Sequence, residues 1–177
     1  MSTHDTSVLR LTQYTQADLH EILGTGEDPF GVADTGLTWL PKEEHFGIRH
    51  EGRLVAHAGL RRLPVSVEGS DLTEVVGLGG VAVAPDVRGR GLARRIVTAA
   101  LSHARTMGPP HALLFCRPPL VPLYERLGWH PTPTDAPVRV EQPGDRVVTM
   151  PLRTLVTPLH ENARWPEGAI RLRSLPM

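Results

Sequence analysis

The 177-residue sequence contains a single cysteine, Cys116, so no disulfide can form within it. Aromatic residues are only 5% of the chain, which leaves few side chains to stack on exposed bases. Neither sign of charge dominates, because 19 Lys and Arg balance 19 Asp and Glu. No long-range field therefore draws the protein to nucleic acid or to an anionic membrane. There is also no apolar run of about 18 residues and no secretory signal pattern. These absences predict a soluble, cytoplasmic protein that binds neither nucleic acid nor membrane. What remains is the size of one domain, with a hydrophobic content of 40% that is enough for a real core. Residues 1–177 are read as a single domain.

Glycine and proline, 17 of each, punctuate the chain. Residues 1–7 are polar and expected to fray; residues 8–11 read as a strand. Thr15, followed by Asp18 and the apolar Leu19, Ile22 and Leu23, marks a helix start. Residues 24–41 lack periodicity, although Phe30, Leu37 and Trp39 can pack in short turns. Strands follow at 46–49 and 54–63, joined by a hairpin turn at Gly52, and then at 73–83, which is apolar throughout as expected for the centre of a sheet. Residues 90–107 carry the 3.6-residue period of the main helix. A short strand at 111–116, a short helix at 119–127 stopped by Gly128 and a last strand at 147–152 complete the pattern. Residues 154–177, rich in Pro and Arg, read as a coil tail with one turn of helix. The order predicts an α/β (α+β) protein whose mixed sheet has helices on its faces.

At residues 81–93, VAVAPDVRGRGLA, a buried strand stops at Pro85 and a Gly-rich turn opens an amphipathic helix. Free N–H groups and the positive end of the helix dipole suit phosphate oxygens, and glycine lets the backbone come close to them. Arg88, Arg90, Arg94 and Arg95 add local positive charge. A basic surface turn capping a helix is the alternative reading of the same residues.

The pattern Arg88-x-x-Gly91-x-Ala93 after a hydrophobic strand resembles the acyl-CoA signature of the GNAT N-acetyltransferases, and residues 122–129, PLYERLGW, resemble that family's tyrosine-bearing helix. The resemblance implies a central, mostly antiparallel twisted sheet splayed between its fourth and fifth strands. It implies acetyl-CoA as cosubstrate and no metal. Val81, Ala82 and Val83 would meet the pantetheine arm, and Arg88, Gly89, Arg90, Gly91, Leu92 and Ala93 would wrap the pyrophosphate. Transfer by direct attack of an amine then needs a proton for the departing thiolate, and Tyr124, protonated at neutral pH, is the expected general acid. A non-catalytic acyl-CoA-binding module of the same fold is a further reading.

No residue announces itself as the base. His57 alternates with Val55 and Gly59 on one strand face, and Glu74 starts the central strand, at either the active or the remote edge. Asp28 and Asp34 lie in the irregular segment that covers acceptor sites in the family. Cys116 ends a strand beside the tyrosine helix, where a buried thiol is ordinarily inert. Residues 45–60 are similar to aminoglycoside 2'-N-acetyltransferases. That stretch, with Val83-x-Pro85-Asp86 and Trp165-Pro166-Glu167-Gly168, is also similar to nodulation N-acyltransferases. Both similarities imply a small-molecule amine acceptor such as an amino sugar, met by Asp34 and Trp165. The oligomeric state is left open between a monomer and a homodimer. Gly79 stands where the aminoglycoside enzymes place a carboxylate, and Arg164, Arg171 and Arg173 give the tail the wrong sign for a polycation.

Overall fold

The computed structural model describes residues 7–26, 28, 30–133 and 136–177. The fraying expected at residues 1–7 therefore lies, except for Ser7, outside the described residues. Strand β1 (Val8–Leu11) leads to helix α1 (Gln16–Leu23), whose start is fixed by a capping box between Thr15 and Asp18. The described part of the irregular segment includes a short 3-10 turn, Ala33–Thr35. Strands β2 (Glu44–His50) and β3 (Arg53–Val67) are joined by a tight turn in which both Glu51 and Gly52 have positive φ, the chemistry of a type I′ hairpin. β4 (Glu74–Val83), α2 (Leu92–Ala104), β5 (His111–Cys116) and α3 (Val121–Arg126) follow.

The C-terminal third departs from the expectation of one strand and a coil tail. It supplies β6 (His130–Pro131), β7 (Val138–Gln142), β8 (Arg146–Thr149), β9 (Arg153–Pro158) and β10 (Ile170–Leu172). β9 runs antiparallel beside β5 along all six of its residues, so the first part of the tail is a sheet strand. Its TLVT core is a short apolar stretch whose neighbouring prolines hide it from a periodicity reading.

Among the described residues ten strands form one curled sheet, β6-β9-β5-β4-β3-β10-β7-β8, with β2 beside β3 and β1 beside β2. β3 turns from one part of the sheet to the other at its far end, where Val65 and Val67 pair with β10 instead of β4. One core packs α1 and α2 on the sheet through Ile22, Ile96, Val97 and Ala100. The other is closed by Leu63, Val138, Val140, Ile170 and Leu172.

Two features of β4 shape the site. Its pairing with β5 is parallel and is limited to Val76 with Ala112 and Gly77 with Leu113, after which the strands splay. Against β3 it carries an extra residue, because β3 advances two residues from His57 to Gly59 while β4 advances three from Gly79 to Ala82. Gly80, at φ 61°, makes that bulge possible.

Candidate functional site

The splay between β4 and β5 opens into two cavities that share Tyr124, Val81, Phe30 and Leu120 as walls. The first encloses about 610 Å³ between the end of β4 and the starts of α2 and α3. Val81, Ala82, Val83, Arg88, Gly89, Gly91, Leu92 and Ala93 all line it, and Arg90 does not. Helix α2 starts at Gly91, at φ 76° and without a side-chain cap, so the first-turn N–H groups are left for another acceptor. A Cβ placed at Gly89 or Gly91 would meet no atom within 4 Å, so the space before the helix start is open. Arg88 donates from Nε to the Val83 carbonyl at 3.2 Å, which ties the basic turn to the end of β4. Such a site can hold a phosphate chain at its turn and an extended arm along Val81–Val83.

Tyr124 is buried on α3, edge-on to Trp129 with ring centroids 6.3 Å apart. Burial first, and the neighbouring Cys116 second, raise the pKa of its hydroxyl, so it is a proton donor at neutral pH. Burial also pushes the Cys116 thiol up to about 11, which removes it as a nucleophile near neutrality.

The second cavity, about 290 Å³, has mostly apolar walls: Trp39, Leu78, Leu114, Phe115, Leu152 and Met177. Its polar lining is Lys42, Cys116, Arg117 and Tyr124. Phe30 and Val32 bring the irregular segment over it. That segment is held by Asp28, whose carboxylate accepts from the N–H groups of Val32 at 2.9 Å and Ala33 at 3.0 Å, and by an ion pair from Asp34 to Arg117. Asp28 is thus spent on its own loop. Asp34 acts on the cavity through Arg117, and its own side chain is exposed and off the lining.

His57 is fully buried and lines neither cavity. Its Nδ1 is 2.7 Å from the Gly80 carbonyl and its Nε2 is 2.9 Å from His45 Nδ1. A carbonyl only accepts, so His57 donates from Nδ1 and its Nε2 accepts the His45 proton. Tyr14 stacks on the ring at 3.6 Å. Burial drives the imidazole pKa down to about 4, against the weaker upward pull of the Gly80 carbonyl. Both nitrogens are occupied, so His57 supports the bulge instead of taking a proton from an acceptor.

Two expected residues lie elsewhere. Glu74 begins β4 at the edge away from the splay, beside Arg62 at 3.9 Å. Seven residues of strand, roughly 23 Å, separate it from Val81. Trp165 packs edge-on to His111 at the start of β5, 5.2 Å between centroids, and lines neither cavity. The tail reaches the cleft further on, through Met177. Lys42 and Met177 were not singled out by sequence. The signal for Lys42 was the set of strand glycines Gly59, Gly79 and Gly80, since glycine inside a strand marks a close approach.

A family model described as an acetyltransferase (GNAT) domain matches residues 11–132. The chain belongs to the GNAT acetyltransferase family. As a GNAT protein it is an acetyl-CoA-dependent acyltransferase, and its curled, splayed sheet is the GNAT fold. A GNAT-family N-acetyltransferase from Escherichia coli, in complex with CoA, is similar at 20% identity and TM-score 0.61, over 98% of this chain and 93% of that one. N-acetylglutamate synthase from Neisseria gonorrhoeae, complexed with CoA and N-acetyl-glutamate, is similar at 15% identity and TM-score 0.56. That match covers 89% of this GNAT chain and 36% of the longer one. The ribosomal-protein-S18-alanine N-acetyltransferase from Escherichia coli is similar at 17% identity and TM-score 0.52, over 89% and 99%. No curated protein matches the sequence. Among the described residues no group of three or more His, Cys, Asp or Glu side chains is placed to hold a metal, and no helix is long and apolar enough to cross a membrane.

Proposed function

We propose that this GNAT protein transfers the acetyl group of acetyl-CoA to the amine of a small molecule by direct attack, with Tyr124 as general acid. The carrying observation is that Tyr124 forms a wall common to both cavities, so that donor and acceptor would meet at its hydroxyl. The pyrophosphate would lie on the start of α2 beside Arg88, Gly89 and Gly91, and the pantetheine arm along Val81–Val83. The thioester carbonyl then comes to the bulge after Gly80, where the extra β4 residue interrupts the regular pairing with β3. A neutral amine nitrogen attacks the carbonyl carbon, the tetrahedral oxyanion collapses, and the C–S bond breaks. Tyr124 gives its proton to the thiolate, the acetylated nitrogen loses one to solvent, and the tyrosinate takes one back from solvent, which restores the acid. His57 takes the role of holding the Gly80 bulge.

The lining of the second cavity favours an acceptor with an apolar body over an amino sugar, whose hydroxyls would meet few hydrogen-bonding side chains there. Lys42 and Arg117 oppose a polycation, which speaks against aminoglycosides. The test is release of CoA thiol from acetyl-CoA on a panel of apolar primary amines, amino sugars, aminoglycosides and peptides with free N-termini. Turnover above background on the small apolar amines supports the proposal. Turnover on peptides alone shifts the acceptor to protein, and acetyl-CoA binding with no transfer to any amine makes the chain a binding module.

A further inference from the structure

Lys42 enters the second cavity by an unusual route. Gly59 of β3 and Gly79 of β4 face each other across the sheet, and the stem of Lys42 lies over both of them and over Gly80. A Cβ at Gly59 would come within 2.3 Å of Lys42 Cγ, and one at Gly79 or Gly80 within 3.2 Å of Lys42 Cε. Any other residue at Gly59 would lift the stem off the sheet. Three glycines thus make a channel that carries the ammonium, one bond beyond Cε, to a cavity walled by Trp39, Leu78 and Met177.

Among the described residues no side-chain carboxylate pairs with the ammonium. Of the carboxylates closest in sequence, Glu43 pairs with Arg61 at 3.4 Å and Glu44 with Arg10. Asp34, over the same cavity, pairs with Arg117. Among the described residues no ion pair or hydrogen bond engages the Lys42 ammonium. The other titratable side chains nearby are His45, His57, Cys116 and Tyr124, none of them an anion at neutral pH, and Arg117, which Asp34 engages; the main-chain oxygen of Met177 also faces Gly79, but among the described residues it makes no ion pair with Lys42. Burial lowers the pKa of the ammonium, as expected for a cation withdrawn from water with nothing to offset it.

On the reading that the second cavity is the acceptor site, we infer that Lys42 anchors a carboxylate of the acceptor, so that the substrates are small amines bearing a carboxylate on an apolar body. One ammonium in an apolar cavity matches a single negative charge.

The test separates anion recognition from turnover. CoA-saturated protein is titrated by calorimetry with 3-phenylpropionate and with 3-phenylpropanamide, in wild type and in Lys42→Met, which keeps the stem over the glycines. Wild type should bind the carboxylate at least about tenfold more tightly than the amide, the worth of one charge-assisted contact. Lys42→Met should reduce that preference to within about twofold while leaving CoA affinity and thermal melting unchanged, and Lys42→Gln should do the same if the methionine variant folds poorly. Equal affinity for the two probes in wild type, no carboxylate binding up to millimolar concentration, or a preference that survives in both variants would overturn the inference. Because the probes carry no amine, the result stands whether or not the chain turns over. Failure of transfer to phenylalanine, with the carboxylate preference intact, would count against the acetyl-transfer reading alone.

Discussion

His57 donates its Nδ1 proton to the carbonyl of Gly80, 2.7 Å away, and this bond joins a buried imidazole to the one bulged residue of the central strand. The bond fixes the peptide that follows Gly80 in the bulge. It also makes the fold sensitive to acid. The His57 pKa is lowered from 6.5 to about 4 on folding, so below pH 6.5 the unfolded chain takes up a proton that the folded chain refuses. Stability contributed by neutral His57 is complete above pH 6.5 and is lost as the pH falls towards 4. The loss amounts to about 3 kcal/mol at most from this residue. Urea unfolding at pH 7.5 and pH 5 should show a clear drop in wild type and a smaller one in His57→Gln. Equal drops in the two proteins would remove His57 as the source.

Gly80→Ala should be costly for so small a change. Its φ of 61° suits glycine, and the new Cβ would meet the His57 ring at 3.2 Å as well as the Lys42 stem. The stem can shift, but the ring is held on both nitrogens. A loss of about 1–2 kcal/mol in unfolding free energy is expected, with kcat reduced more than KM for acetyl-CoA. Unchanged melting and unchanged kcat would show that the bulge tolerates a side chain.

Tyr124→Phe should leave folding and CoA affinity nearly unchanged, because the ring and its edge contact with Trp129 remain. With an acceptor that is turned over, kcat should fall by about 10²-fold or more, the usual worth of a positioned general acid. Weaker CoA binding at unchanged kcat would make Tyr124 a contact residue instead.

Much of this was legible in the sequence wherever a local signal was strong. The Thr15–Asp18 capping box, the 3.6-residue period of α2 and the apolar run of β4 each mark their element without tertiary help. Of the nine residues the sequence assigned to the cosubstrate, all but Arg90 line the first cavity, while Leu23, Phe30 and the tyrosine helix also contribute to it. The second cavity was hidden because its residues are brought together from remote segments: Trp39 and Lys42 before β2, Cys116 and Arg117 at the end of β5, Met177 at position 177. Polar residues at strand ends carry no mark of which edge they occupy, so Glu74 could not be placed until the direction of β4 was known. Trp165 had to pack somewhere, and His111, 54 positions earlier in the chain, supplied the surface.

The first cavity stands or falls as the CoA site on charge. Arg88 lines it and is exposed, so Arg88→Glu changes the field at the start of α2 with little effect on the core. Gly91→Val would confirm the location, but a β-branched residue at φ 76° strains the turn as well and must be judged after its folded fraction is measured. The direct measurement is calorimetric titration of wild type and Arg88→Glu with acetyl-CoA. Micromolar affinity in wild type and at least about tenfold weaker binding in the variant, at equal thermal stability, is the predicted result. Equal affinity in the two proteins would contradict the assignment of the cosubstrate to this cavity.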